Sequence, residues 1–209
     1  MFDPLLTFFV VFLVVVEPVS VIPIFMALTD GLSEAERRRT ARKGIAIAAV
    51  ILFAFSLAGG AFLRVMSISI DAFRIFGGLL LFLIALEMVF ARTSGTRTSG
   101  TEEEEGRRRA DISVFPLAFP FIAGPGALAT ILLAFGPAEG NALLTLGLLA
   151  CVAVVLLIAL LVLYLASPIM RVMGVTGANV LNRLFGVVLG ALAVQYVIDG
   201  LRGAFQSVS

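Results

Sequence analysis

Gly124-Pro125-Gly126-Ala127 lies near the middle of an apolar run at about 112–136. Proline removes a backbone donor, and its ring collides with the preceding turn of a helix. The flanking glycines add backbone conformations that side chains resist. A helix over this run is therefore expected to break near its centre. Glu17-Pro18-Val19-Ser20 has the same character inside the run at about 4–28, where Pro23 follows, and Pro116 and Pro120 punctuate the later run again. Freed N–H and C=O groups at the middle of a lipid-crossing helix survive only when buried in protein or lining a wet cavity. Either proline alone reads most simply as a kink. Two breaks at matching positions point to a binding site.

Outward from these two stretches the chain reads as lipid-soluble. Its 209 residues are 60% hydrophobic and 14% charged, with a mean hydropathy of +1.11. Soluble domains average roughly 45–50% apolar and 25% charged. A spanning helix needs about 20 apolar residues. Six runs qualify, at about 4–28, 44–63, 68–90, 112–136, 142–166 and 179–201, leaving no room for a separate soluble domain. A net charge of +1 gives no basic field for nucleic acid. With no histidine and the single Cys151, the chain has no internal disulfide and no His-based metal or nucleophile site. No cofactor or metal is implied. Asp71 and Asp199 fall near one face at helix ends rather than at a shared central depth, so an intramembrane hydrolase is not expected. The first run lacks a basic n-region and a small-residue cleavage site, and reads as a retained helix.

Ser33 and Glu36 have capping-box spacing, which starts the second helix in water and carries it through Arg37–Lys43 into the membrane. RTSG occurs twice, at 92–95 and 97–100, ahead of Glu102–Glu105 and Arg107–Arg109; the stretch 92–111 reads as a flexible linker. Eleven Lys and Arg residues fall in the odd-numbered loops, against Arg64 and Arg202 on the other side. The positive-inside rule then puts the odd loops in the cytoplasm and both termini outside.

Arg74-Ile75-Phe76-Gly77 in the third run and Arg183-Leu184-Phe185-Gly186 in the sixth are 109 residues apart, while Pro18 and Pro125 are 107 apart. Two matches at nearly one offset suggest three helices used twice, residues 1–91 and 112–209. An odd-numbered repeat enters the membrane inverted. The expected fold is an all-α integral membrane protein, six transmembrane helices in two inverted three-helix repeats, the first and fourth broken near the membrane centre. Inverted repeats with interrupted helices typify secondary transporters.

A broken helix offers a new N-terminus whose N–H groups and positive dipole end suit a carboxylate. Pro125 fits the first position of such a helix. Freed carbonyls opposite suit an ammonium, so a zwitterion of amino-acid size matches both. Glu17 is the one ionisable residue near the centre of a run; it would face the ammonium or carry a coupling proton, against the alternative of a protonated packing group. The candidate substrate-binding set is Glu17, Pro18, Ser20, Pro23, Gly124, Pro125, Gly126 and Thr130. Asp71 and Arg74, spaced to pair on one helix face, and Asn182 and Arg183 are candidates for gating or coupling; snorkelling anchors are the plain alternative for the arginines. Expected partners are a small zwitterion, a coupling proton or sodium ion, and lipid.

These stretches resemble the MarC family, the small neutral amino acid transporter family that includes SnatA. The likeness covers nearly the whole chain. It is carried by 17–25 and Leu28-Thr29, by 116–127, by Phe76-Gly77-Gly78-Leu79-Leu80-Leu81, and by 194–201. The resemblance implies six helices in a prokaryotic cytoplasmic membrane and, for some members, carriage of glycine, alanine and related amino acids. The family pattern at the first break is Asn or Asp, then Pro, then Gly two residues on; Glu17 and Ser20 stand there instead, which changes the size and charge of the site. A channel, an exporter of another small solute, and a non-transport scaffold are the competing readings.

Overall fold

The computed structural model describes residues 4–90, 111–138 and 140–206, and among them all regular structure is helical. The elements are α1 (Pro4–Val16), α2 (Val21–Leu28), α3 (Glu34–Val65), α4 (Ile70–Phe90), α5 (Ser113–Ile122), α6 (Pro125–Phe135), α7 (Ala142–Tyr164) and α8 (Ala166–Gln206). By length and apolarity α3, α4, α7 and the Asn179–Phe205 part of α8 can each cross a membrane. Two bent pairs meet the same test jointly: α1 with α2, at 41°, and α5 with the Pro125–Ala138 stretch that α6 opens, at 51°. The described residues therefore hold four candidate spans, or up to six if each bent pair is one. The linker expected at 92–111 lies outside the described residues except for Asp111.

Local chemistry sets the ends. Ser33 caps α3 as its spacing predicts: its Oγ accepts from Glu36 N–H at 3.3 Å, and Glu36 Oε2 accepts from Ser33 N–H at 2.9 Å. Asn141 caps α7 through Leu144 N–H at 3.0 Å. α5 is not an ordinary helix. Phe115 and Phe119, each ahead of a proline, take extended φ/ψ near −132°/130°, because a following proline ring disfavours the α region. Its bonds skip five residues, as from Ala123 N–H to Ala118 O at 2.8 Å. The Phe115–Pro116 and Phe119–Pro120 bonds are cis.

The part of α8 able to cross a membrane, Asn179–Phe205, begins where the sequence places the sixth apolar run, and a further helical stretch precedes it. α8 starts at Ala166, directly after α7, and bends at Gly174, whose φ of 62° is left-handed. A glycine adopts that region without the Cβ penalty.

The irregular spans lie at the centre and the long helices around them. Phe12, Phe25, Leu117 and Ile131 are fully buried, whereas Val50, Leu57, Leu143 and Leu161 are exposed. Lipid has no drive to expel these apolar side chains, and the broken backbone sits where protein can satisfy it. α4 packs along α8, α3 along α7, and α1 against α6. The α4–α8 contact depends on small residues. A Cβ on Gly78 would lie 2.8 Å from Ala193 O, and one on Gly186 2.7 Å from Met88 Cβ.

Candidate functional site

Two residues make the first break. Pro18 has no N–H to continue the ladder of α1, and Glu17 before it sits at φ 48°. Holding a non-glycine residue there costs on the order of 1–3 kcal/mol, and such residues cluster at functional sites. Glu17 N–H closes α1 on Leu13 O at 3.1 Å, and Glu17 O accepts from Ser20 N–H at 3.0 Å. The chain thus turns within a few residues. α2 begins with Ser20 at its cap position, where the hydroxyl makes no capping bond. Glu17 is 4% exposed. Pro23 falls in the first turn of α2, where a missing donor is tolerated.

A chamber of about 260 Å³ opens beside this break. Leu13 and Val14 of α1, Ile158 and Val162 of α7, and Leu181 and Phe185 of α8 form much of its wall. Its polar lining comes from Glu17, Ser20 and Asn182. Asn182 Oδ1 is buried and accepts no hydrogen bond among the described residues. The sequence set Asn182 beside Arg183 as a gate candidate; the fold turns it toward the same space as Glu17. The apolar wall residues carry no sequence signal, being aliphatic and aromatic side chains in aliphatic helices.

The second break is closed. Gly124 is the extended cap residue of α6 (φ −76°, ψ 173°), with Pro125 at the first helical position. Leu128 N–H returns to Gly124 O at 3.0 Å, so the amides of Gly126 and Ala127 precede the first bond of the helix. The pocket in front of them holds about 10 Å³, the size of one water at most. A Cβ on Gly126 would lie 2.8 Å from Ile84 Cδ1 and 3.1 Å from Val15 Cγ1. Thr130 is fully buried and donates its hydroxyl to Gly126 O at 2.9 Å, within its own helix.

The two breaks adjoin. Val15 reaches Gly126 from the first, and Pro18, Val21 and Ile122 flank one filled crevice between them. Among the gate candidates, Arg74 Nη1 donates to Asp71 Oδ1 at 3.0 Å. The end of α8 lies directly on this pair, since a Cβ on Gly203 would collide with Asp71 Oδ1 and one on Gly200 would come within 3.1 Å of Arg74 Cβ. Arg183 is exposed and makes no ion pair among the described residues. The fold thus gathers Glu17, Pro18, Ser20 and Asn182 at one chamber and Gly124, Pro125 and Gly126 at the neighbouring break. Pro23, Thr130 and Arg183 do not line the chamber, and Asp71 with Arg74 forms a separate contact.

The pattern described as MarC family integral membrane protein matches residues 2–205. A membrane protein of Aquifex aeolicus in the group named UPF0056 is 35% identical over 93% of this chain and 90% of its own length. The UPF0056 membrane protein YvbG of Bacillus subtilis is 35% identical over 98% and 97%, and YhcE of Escherichia coli is 32% identical over 95% and 92%. No solved structure matches the chain. With its apolar helices, its broken central spans and similarity to these bacterial proteins along nearly its whole length, the chain belongs to the MarC family of integral membrane proteins.

Proposed function

We propose that the chain is a secondary transporter of small neutral amino acids, glycine- and alanine-like zwitterions, working by alternating access. In this reading it has six spans in two inverted repeats, sits in a prokaryotic cytoplasmic membrane with both termini outside, and couples transport to a proton or sodium ion. The observation that carries the reading is the meeting of two broken spans beside a buried carboxyl. Val15 of one break touches the Gly126 position of the other, and Glu17 stands two residues further along, 4% exposed. The packing of α1 on α6, α3 on α7 and α4 on α8 is compatible with the arrangement in two repeats.

The chemistry follows from the two ends. The α6 N-terminus offers amides and a positive dipole end to a carboxylate, and Glu17 offers negative charge to an ammonium. In this conformation packed side chains stop up the α6 end, so a zwitterion spanning both requires the breaks to part. That parting is the access step. Carriage is tested by uptake and counterflow of labelled amino acids in proteoliposomes. Saturable exchange of alanine and glycine is expected, with Glu17→Gln shifting its pH profile or its affinity. Conductance without saturation would make the chain a channel, and no flux of any solute would leave a scaffold.

A further inference from the structure

We propose that the chamber between α1, α7 and α8 binds an ammonium group carrying an apolar body larger than a methyl group, the ammonium held between Glu17 and Asn182. The proposal deepens the carrier reading and rests on it for the ligand being cargo. It extends the range from glycine and alanine to branched and aromatic amino acids.

Three observations converge. The first is size. A cavity of roughly 150 Å³ accommodates benzene; this chamber has about 260 Å³, most of which alanine would leave empty. The second is wall chemistry. Leu13, Val14, Ile158, Val162, Leu181 and Phe185 offer aliphatic and aromatic surface, which rewards an apolar body and nothing polar. The third is the polar end. Glu17 is the one ionisable residue of the lining and it is acidic, so charge selection favours a cation. Asn182 Oδ1 is a buried acceptor lacking a donor among the described residues, and such a group in a native fold calls for a partner. An ammonium brings three donors and a positive charge. It would serve the carboxyl of one broken span and the carboxamide of the sixth apolar run together. No cationic side chain lines the chamber to receive a carboxylate, so a zwitterion's acid must point out of it, toward the neighbouring α6 end.

The test uses the purified full-length protein in detergent, with ligand-induced thermal stabilisation and calorimetric affinities as readouts. The probes are glycine, alanine, leucine, phenylalanine, isoamylamine (ammonium without acid) and 4-methylvalerate (acid without ammonium). Leucine and phenylalanine should bind about tenfold or more tightly than glycine, as burial of a few methylene groups supplies. Isoamylamine should bind and 4-methylvalerate should not. Asn182→Leu, close in shape, should weaken amine binding about tenfold or more while raising the unliganded melting temperature, because it removes an unsatisfied buried acceptor. A merely structural Asn182 would move neither amine affinity nor the amine-to-acid ratio. Equal binding of isoamylamine and 4-methylvalerate, glycine as tight as leucine, or unchanged amine affinity in Asn182→Leu would each overturn the proposal. Counterflow separates the two readings. Leucine that binds but does not exchange leaves the chamber standing and removes the carrier; alanine that exchanges without any bulky ligand binding does the reverse.

Discussion

At Gly126 the space for a methyl group is already taken by Ile84 Cδ1 at 2.8 Å and Val15 Cγ1 at 3.1 Å. Gly126→Ala is therefore expected to destabilise the protein by about 1–3 kcal/mol, the usual cost of overpacking a filled site. Ile84→Val removes the nearest atom. Alone it should cost about 0.5–1.5 kcal/mol, but in Gly126→Ala it should return part of the loss. Thermal unfolding of the two single variants and the double variant measures the coupling; additive effects would mean that the clash is not the cause. The same residue shows what a sequence reveals at this scale. Glycine beside proline in an apolar run marks a break, but whether the glycine admits a ligand or a neighbouring helix depends on Ile84 and Val15, which are remote in sequence. Glu17 was legible because a lone acid in an apolar run is costly. That Asn182 joins it was not, because only the packing of α8 against the first break places the two at one chamber.

Breaks in elements were easier to read than their starts. Pro18 and Pro125 interrupt their helices in both sequence and structure, since a missing N–H and a ring clash act wherever the helix is placed. The irregular winding of α5 was only half legible: Pro116 and Pro120 mark it, but nothing in the apolar pattern distinguishes five-residue bonds from ordinary helical ones. The start of the sixth run near 179 was legible, but the helical stretch that runs from Ala166 to the bend at Gly174 was not, because 166–178 is mixed in character. One contact pins the approach to α5. Lys43 of α3 donates to Asp111, whose other oxygen accepts from Ser113 N–H at 3.2 Å. The Lys43 ammonium first, and Ser113 next, hold the Asp111 carboxyl below its ordinary value of 3.8. A depressed folded value means that the stabilisation is fully present above the unfolded value and is lost as pH falls through the folded one. The pair is exposed, so it contributes at most about 1 kcal/mol. Melting of the wild type should accordingly fall relative to Asp111→Asn only below about pH 4, and Lys43→Met should remove most of that difference. An equal acid dependence in wild type and Asp111→Asn would show that the contact does not form in solution.

Across the whole molecule the connections separate into two groups. At one end Arg37 Nη1 donates to Ser167 Oγ at 3.1 Å, the Arg38 guanidinium stands 5.7 Å from the Tyr164 ring centre, and Lys43 pairs with Asp111. These contacts join the connection before α3, the approach to α5 and the junction of α7 with α8. At the other end a Cβ on Gly203 would collide with Asp71 Oδ1, one on Gly136 would meet Ile70 Cδ1 at 3.6 Å, and one on Gly147 would meet Leu5 Cδ2 at 2.8 Å. That set joins the α3–α4 turn, the α6–α7 connection and both ends of the chain. In the six-span arrangement proposed above each bent pair counts as one crossing, and successive connections fall on opposite sides. Among the described residues the charges follow this division: Arg37, Arg38, Arg39, Arg42, Lys43 and Arg171 belong to the first group and its helix ends, and Arg64 and Arg202 to the second. Basic residues near short loops are retained in the cytoplasm, so the orientation proposed above puts the first group inside and both termini outside. Fusing alkaline phosphatase after Gln206 should give an active enzyme and fusing a fluorescent protein there a dark one, while insertions within 92–110 should give the opposite pair. The fusion data also bear on the repeat. Two three-helix halves are inverted only if the first ends on the side opposite to its start, and the termini of the whole chain then share a side. A bright fluorescent fusion after Gln206, with the N-terminus outside, would require an odd number of crossings and remove the inverted repeat with the orientation.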